Sequence, residues 1–208
     1  EIICWDENNF DVNCCAYVRE AYAEKYWAFV SDYARLKILV EHGGIYMDTD
    51  VEILKPLDIF LNERAFSGFE SEEMIPTGIM ASEKNFAPFV ELLNDYDHRH
   101  FLIKRFLKKS EYDVTTNVET ITNYFLARGL KPNNTRQTIN GFTVYPKDFF
   151  CPKSWQTGEL NITENTYTIH HFSGSWVEQL KEERRKSDER KAKQLTTKIK
   201  MRLRKLFG

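Results

Sequence analysis

The sequence predicts an α/β fold in which short strands alternate with amphipathic helices. Apolar residues recur at helical spacing in some stretches, whereas shorter alternating or apolar runs are typical of strands. We expect helices at 17–27, 31–42, 88–96 and 118–126, and strands at 1–5, 51–54, 66–70, 78–81, 142–146 and 166–170. The 208 residues are 42% hydrophobic and 29% charged, so the chain can bury the full core of one domain or at most two.

The helix predicted at 31–42 has a signal at each end. Ser31 is a good N-cap residue, and Gly43 is the residue type at which helices most often stop. Asp32 and Arg35 lie three positions apart, so both side chains can point to one spot. From the residues alone, this pair is either a local ion pair on a solvated helix face or part of a site.

Two carboxylates follow this helix. Asp48 and Asp50 come after Gly43-Gly44 and a short apolar run. Divalent cations such as Mg²⁺ prefer oxygen ligands, take one or two protein carboxylates, and leave the rest of the shell to water and phosphate oxygens. The pair therefore indicates a metal that carries a phosphorylated substrate, and a polar turn between strands is the alternative.

The stretch 170–176 is a second candidate for part of the metal site. In it two histidines precede a turn with Gly174 and Trp176. Adjacent residues of a strand point to opposite faces, so we expect that either His170 or His171 can reach a metal, but not both. Earlier in the chain, Glu70 ends a predicted strand. It is either a carboxylate that faces the site or an exposed strand end.

The pattern Ser31-Asp32-x-x-Arg35 followed by Gly43-Gly44-Ile45-Tyr46-x-Asp48-x-Asp50 resembles the Asp-x-Asp sugar transferases of glycosyltransferase family 32. This family includes fungal mannosyltransferases and bacterial capsular-polysaccharide enzymes. The likeness covers roughly residues 1 to 180 and continues at 5–11, 17–22, 55–58, 68–70 and 170–176. It implies a GT-A-type fold, which is a Rossmann-like mixed sheet flanked by helices.

The resemblance implies a metal-dependent enzyme that transfers a hexose from a UDP- or GDP-linked sugar to a glycan or lipid-linked acceptor, with retention of configuration. The metal, Mn²⁺ or Mg²⁺, would be held by Asp50, by Asp48 directly or through water, and by His171. His171 is preferred because His171-Phe172-Ser173-Gly174 is similar to the His-aromatic-x-Gly metal loop of related retaining transferases. No residue stands out as a covalent nucleophile, which favours attack by the acceptor hydroxyl on the face that the phosphate leaves.

The resemblance also implies the remaining site residues, all of which would contact the donor. Those expected at the sugar are Ser31, Asp32, Arg35, Tyr46 and Asn117, with Asp48 near the ribose, and those expected at the diphosphate are Ser175 and Trp176. Asn117 has a local alternative, since Thr116 or Asn117 can cap the following helix. Family members carry a first strand and helix for the nucleotide base ahead of the point where this sequence starts, so either that part is missing from the sequence or the nucleotide pocket is incomplete.

The last 28 residues, 181–208, differ in charge from the rest. They hold twelve Lys or Arg against four Asp or Glu, an excess of +8, and apolar residues recur there at helical spacing. A basic amphipathic helix is typical of a membrane surface, and packing on a protein is the alternative. We expect a catalytic domain at 1–180, a basic tail at 181–208, and no nucleic-acid partner because the rest of the chain is acidic.

Cellular location follows from weaker signals. No run of about 18 apolar residues occurs, and Glu1 does not begin a signal peptide. The four cysteines show no Cys-x-x-Cys spacing, so reduced thiols are expected. We therefore predict a cytoplasmic protein, peripheral on the inner face of the membrane if the tail binds lipid.

Two other functions fit parts of the pattern. Asp48-Thr49-Asp50-Val51 also matches the nucleophile motif of haloacid-dehalogenase-type phosphatases, in which the first aspartate forms a covalent intermediate. That fold requires a long apolar strand before the motif and a later pair of aspartates, and neither is evident. A non-catalytic carbohydrate-binding relative of the transferases is the second alternative.

Overall fold

The computed structural model describes residues 1–103 and 111–174. Contacts divide the chain into two compact units, Glu1–Phe172 and Ser173–Gly208, and the fold below is that of the first unit. The predicted basic helical tail at 181–208 lies outside the described residues, as do Ser175 and Trp176. Within the described residues, no helix has the length and apolar character needed to cross a bilayer.

The described residues form nine strands, five of which build one mixed sheet in the order β1-β4-β3-β8-β7. Strands β3 and β8 pair in parallel, and the other neighbours in this sheet are antiparallel. The strands are β1 Gly44–Met47, β2 Val51–Ile53, β3 Ala65–Gly68, β4 Ile79–Ser82, β5 Leu102–Ile103, β6 Glu111–Tyr112, β7 Gln137–Ile139, β8 Phe142–Tyr145 and β9 Thr168–His170. The other four strands form two small antiparallel ladders, β2 with β9 and β5 with β6.

Helices pack around this sheet, which confirms the predicted mixed α/β architecture and is compatible with a GT-A-type fold. They are α1 Ala16–Ala23, α2 Trp27–His42, α3 Ala87–Asn94, α4 Asn117–Leu126 and the single turn α5 Lys147–Phe150. The predicted cap of α4 is confirmed, because the Thr116 side chain accepts a hydrogen bond from the Glu119 N–H at 3.3 Å. All four cysteines are free, as expected.

Helix α2 begins four residues before its predicted start. Ser31 is therefore not the N-cap but lies inside the helix, where its hydroxyl donates to the Ala28 carbonyl at 2.8 Å. The earlier start is stabilised by packing, since the Trp27 ring lies edge-on against Tyr22 at 5.0 Å. The predicted end is confirmed: the helix stops at His42, and the Gly43 N–H donates to the Leu39 carbonyl.

The strand predicted at 1–5 is wrong. This segment has no regular structure and pairs with no strand among the described residues, and Ile2 is fully exposed. Its apolar residues match a strand pattern, but a strand also needs a hydrogen-bonded neighbour. Instead, the Cys4 carbonyl accepts a hydrogen bond from the Asn9 side chain, within a local turn.

Aromatic side chains fill the core on both faces of the five-stranded sheet. On one face the Phe142 ring of β8 stacks on Phe125 of α4, with centroids 4.5 Å apart. On the other face Phe66 stacks on Phe150, and Phe60 packs against both. This packing on both faces stabilises the sheet. Strand β1 lies at one edge of the sheet, and the predicted aspartates follow its last residue.

Gly43 is required for the connection between α2 and β1. Its backbone has φ +71° and ψ −166°, a region that is essentially restricted to glycine. A Cβ atom at this position would lie 2.8 Å from the Lys84 nitrogen and 3.1 Å from the Ser82 oxygen. The glycine therefore permits both the sharp turn and the close approach of the segment after β4.

Replacing Gly43 with alanine should destabilise the protein by about 2–4 kcal/mol, because strain and steric overlap add. Gly158→Ala is the matched control, since Gly158 has a similar φ of +74° but open space around it. The control should cost about 1 kcal/mol from backbone strain alone. Urea unfolding of both variants measures the difference, and equal losses would contradict a close approach at Gly43.

Candidate metal and donor site

The two aspartates of the predicted motif lie in a tight turn between β1 and β2. The turn is anchored by its backbone: the Asp48 N–H donates to the Gly78 carbonyl at 2.8 Å, and the Val51 N–H donates to the Asp48 carbonyl at 3.1 Å. The Asp48 and Asp50 side chains are each about one-quarter exposed. Both carboxylates are thus held in place while solvent can still reach them.

Pairing of β2 with β9 brings a histidine to this turn. In the antiparallel register Val51 lies opposite His170, and the His171 N–H donates to the Asp50 carbonyl at 2.9 Å. The His170 Nε2 lies 3.3 Å from an Asp50 carboxylate oxygen. One ligand atom from each of Asp48, Asp50 and His170 lies within 4.8 Å of the others, which is close enough to share a metal ion.

The histidine that lies beside the two aspartates is therefore His170, and not His171, which was predicted as the metal ligand. The His171 ring points away from the aspartates and lies 2.9 Å from Glu52, and both of these side chains are largely exposed. The reason is the alternation of side chains along extended backbone, which sends neighbouring residues to opposite faces. The register of β9 against β2 decides which of the two histidines lies on the side of the aspartates.

The chemistry of these three residues fits a divalent cation. Two carboxylates and an imidazole are ordinary ligands of Mn²⁺ and Mg²⁺-type sites. Burial lowers the pKa of His170 below its ordinary value, so its ring is neutral at pH 7, as a ligand must be. The buried Nδ1 atom has no hydrogen-bond partner among the described residues.

Arg35 is buried behind the aspartates, with 4% of its surface exposed. Its guanidinium donates to the Thr77 carbonyl at 2.5 Å, lies 3.3 Å from Asp32 and 3.5 Å from Asp48, and packs 5.0 Å from the Tyr46 ring. Burial opposes its charge, but Tyr46 and the two carboxylates raise the pKa of Arg35 above its ordinary value. The alternative of an ion pair on a solvated helix face is thus excluded.

Carboxyl groups predominate in this cluster. Asp32, Asp48 and Asp50 lie around Arg35, which contacts the first two of them. Burial raises the pKa of Asp32 above its ordinary value, against the opposing effect of Arg35. Carboxylate oxygens are the ligands that hard divalent cations prefer.

Asn117 is fully buried beneath Asp32. Its backbone N–H donates to Asp32 Oδ2 at 2.9 Å, its side-chain amide donates to the Asp32 carbonyl, and its Oδ1 accepts from the Tyr96 hydroxyl at 2.7 Å. Because Asn117 is fully buried, its amide is not exposed to a donor sugar in this structure. In this structure Asn117 positions Asp32 instead.

The other predicted donor residues lie around the same point. Ser31 accepts a hydrogen bond from Arg35 at 3.1 Å, and the Tyr46 hydroxyl donates to Asp48 Oδ1 at 2.8 Å. Together with Asp32, they form one connected polar cluster next to the Asp-x-Asp turn. Their contacts with a donor stay predictions, as do those of Ser175 and Trp176, which lie outside the described residues.

Glu70, at the end of β3, is a mostly buried carboxyl rather than an exposed strand end. Burial raises its pKa to about 7, and no cation pairs with it among the described residues. Burial also raises the pKa of the Cys151 thiol, and the charges of Glu70 and Asp48 raise it further. The charges of Glu70 and Asp48 are therefore both felt at the buried thiol of Cys151.

Sequence reasoning missed the backbone of Thr77 and Gly78, and the hydroxyl of Tyr96. The two backbone carbonyls accept hydrogen bonds from Arg35 and Asp48. Carbonyl groups are present at every residue, so no local signal marks them. Tyr96 is the last residue of the helix predicted at 88–96, and nothing in its spacing indicated a hydroxyl bonded to Asn117.

Comparison with protein families matches residues 4–67 to the glycosyltransferase sugar-binding region containing the DXD motif. The matched stretch includes Ser31, Asp32, Arg35 and both aspartates of the turn. This finding confirms the resemblance drawn from the sequence, is consistent with a transferase like those of glycosyltransferase family 32, and supports a glycosyltransferase. Comparisons with curated proteins and with solved structures gave no significant match.

Asn117→Ala should destabilise the protein by about 2–4 kcal/mol, because Tyr96 and Asp32 would lose buried hydrogen bonds. Asn123→Ala is the matched control, since Asn123 lies on the same helix but is exposed. The control should change stability by less than about 0.5 kcal/mol. Chemical denaturation of both variants tests this, and similar values for the two would rule out the buried role of Asn117.

Glu70→Gln should remove a pH dependence of stability. The folded carboxyl keeps its proton up to about pH 7, whereas the unfolded one ionises near its ordinary value of 4.5. The folded state thus binds more protons in this window, so wild-type stability falls as pH rises through it. Above pH 7 the glutamine variant should be about 1–3 kcal/mol more stable than wild type, and near pH 4 the gain should vanish.

Denaturant melts at pH 4, 6 and 8 measure this effect. Glu72→Gln is the control, since Glu72 is an exposed glutamate in the same loop. A parallel shift of both variants at every pH would show that Glu70 does not titrate as described.

Proposed function

We propose that this chain is a metal-dependent retaining glycosyltransferase, which moves a hexose from a UDP- or GDP-linked sugar to a glycan or lipid-linked acceptor. The observation that carries the proposal is the convergence of Asp48, Asp50 and His170 within 4.8 Å, in a chain that matches a DXD sugar-binding region. The aspartates come from one turn and the histidine from a strand 120 residues later. A polar turn with no function would not require this third residue.

Asp48, Asp50 and His170 would hold the ion, either Mn²⁺ or Mg²⁺. When bound, such an ion supplies a Lewis acid that stabilises the negative charge developing on a departing nucleoside diphosphate. Asp48 also accepts a hydrogen bond from Tyr46 and lies near Arg35, so its free oxygen is the one available to a ligand. This arrangement supports direct ligation by Asp50 and direct or water-mediated ligation by Asp48.

The donor sugar would lie beside Asp32 and Arg35. These side chains are fixed from behind, Asp32 by Asn117 and Arg35 by the Thr77 carbonyl. Groups held in place before the substrate arrives cost less free energy to organise in the transition state. Tyr46 and Ser31 complete this side of the proposed donor pocket.

Retention of configuration is proposed without a covalent sugar–enzyme intermediate. One oxygen of Asp48 accepts a hydrogen bond from Tyr46 and the other is assigned to the ion, while burial raises the pKa of Glu70 to about 7, so that below this pH it is mainly protonated and a poor nucleophile. The acceptor hydroxyl would attack from the face that the phosphate leaves, and the leaving phosphate would take its proton. The acceptor is proposed as a glycan of capsule type, with the basic residues of 181–208 at an anionic membrane surface.

A haloacid-dehalogenase-type phosphatase is disfavoured by the topology. In that fold the motif follows a long buried parallel strand, whereas β1 has four residues, lies at the edge of its sheet and pairs antiparallel with β4. A non-catalytic carbohydrate-binding protein would not need the three ligand atoms that converge here.

Release of nucleoside diphosphate from a panel of UDP- and GDP-hexoses with MnCl₂ tests the proposal on the full chain. Asp50→Asn and His170→Ala should each lower the rate at least about 100-fold, because a ligand is lost. His171→Ala is the matched control and should stay within about threefold of wild type. The His171 ring contacts Glu52, outside the cluster of Asp48, Asp50 and His170, and its hydrogen bonds to Asp50 and Lys153 are made by backbone atoms that the substitution keeps. EDTA should abolish activity in wild type.

Three results would contradict the proposal. Activity that persists in EDTA would exclude the metal. Equal loss in His170→Ala and His171→Ala would exclude the assigned ligand. Hydrolysis of a simple phosphate ester, with a covalent phosphoryl group on Asp48, would favour the phosphatase.

A further inference from the structure

The backbone of the segment before β4 contacts Arg35, Asp48 and His170 of the proposed metal and donor site. The Thr77 carbonyl accepts from Arg35, and the Gly78 carbonyl accepts from the Asp48 N–H at 2.8 Å. On its other side Gly78 lies directly against the ring of His170. One glycine therefore lies between two of the three residues that would hold the ion.

Gly78 leaves no room for a side chain. A Cβ atom built there would lie 2.6 Å from His170 Cε1, 2.7 Å from Nδ1 and 3.1 Å from Nε2. The first two distances are shorter than any real Cβ contact, and the third is unusually tight. Unlike Gly43, Gly78 does not have a positive φ. Backbone conformation thus does not require glycine at this position, but the space taken by the His170 ring does.

The His170 ring also packs against Phe172. The two ring centroids are 4.1 Å apart, with planes tilted by 32°. Phe172 has a φ of +53°, a left-handed conformation that is unusual and strained for an aromatic residue. In this strained conformation the phenyl ring of Phe172 packs against the imidazole of His170.

Packing, rather than a second hydrogen bond, orients this imidazole. A metal-binding histidine ordinarily donates its other ring N–H to a carboxylate or carbonyl, which fixes the ring. Here Nδ1 has no hydrogen-bond partner among the described residues. The polar contact of the ring is between Nε2 and Asp50. The position of the ring is therefore set by its packing against the backbone of Gly78 and against Phe172.

We propose that Gly78 is a positioning residue for the metal site, which acts by leaving the space in which His170 reaches Asp48 and Asp50. This inference rests on the proposed function, since it assigns His170 to the ion. Any side chain at position 78 would push the ring away from the two aspartates. Gly78 itself touches neither the substrate nor the ion.

The first test measures Mn²⁺ binding by electron paramagnetic resonance, which reports free Mn²⁺ directly. Gly78→Ala should raise the Kd about 10–100-fold, the usual effect of disturbing the support of a metal ligand. Gly68→Ala is the matched control: its Cβ would also be crowded, at 3.0 Å from Phe150, but not by His170. The control should keep the wild-type Kd within about twofold, even if it is less stable.

The second test needs no metal. Thermal melts are compared for wild type, Gly78→Ala, His170→Ala and the double variant, all in EDTA. Gly78→Ala should lower Tm by about 4 °C or more through steric overlap. In the His170→Ala background the same change should have almost no effect, because the ring that it meets is gone.

The two readouts separate this inference from the proposed function. A wild-type Kd in Gly78→Ala, or an equal loss of Tm in both backgrounds, would overturn the role of Gly78 in a protein that does bind Mn²⁺. If wild type bound no Mn²⁺, the proposed function and the metal part of this inference would be overturned together. A coupled loss of Tm in that case would retain only the steric pairing of Gly78 with His170.

Discussion

The arrangement of the site depends on the contacts of the buried Arg35 guanidinium. A charge removed from water must be paired and hydrogen-bonded, or its burial costs several kcal/mol. Arg35 meets this requirement with the Thr77 carbonyl, Ser31, Asp32 and Asp48. These groups belong to helix α2, to the segment before β4 and to the turn after β1. The need to satisfy one cation therefore holds three parts of the chain at fixed positions.

The three carboxyl groups of the cluster have different surroundings. Arg35 offsets part of the repulsion between Asp32 and Asp48, and Asn117 fixes Asp32 through two hydrogen bonds. Asp50 lies beside the ring of His170, and its side chain is about as exposed as that of Asp48. The buried part of the cluster is thus paired within the protein, while Asp48 and Asp50 both stay within reach of solvent and of a cation.

Local spacing was sufficient for the residues that are neighbours in the chain. Asp32 and Arg35 share one turn of a helix, and Asp48 and Asp50 share one turn between strands, so their proximity follows from backbone geometry. The end of α2 at Gly43 was predictable for the same reason. The start of α2 was not, because packing of Trp27 on Tyr22 extends the helix beyond the cap that Ser31 suggested.

By itself, the sequence determined the mixed α/β architecture, the Asp-x-Asp turn and the Asp32–Arg35 pair, since each follows from periodicity or short spacing. Only the tertiary structure decided between His170 and His171, because that choice depends on the register of β9 against β2. It also decided that Asn117 lies behind Asp32 and that Gly78 makes space for an imidazole. Contacts between residues 80 to 120 positions apart arise from the packing of whole elements, which no local pattern encodes.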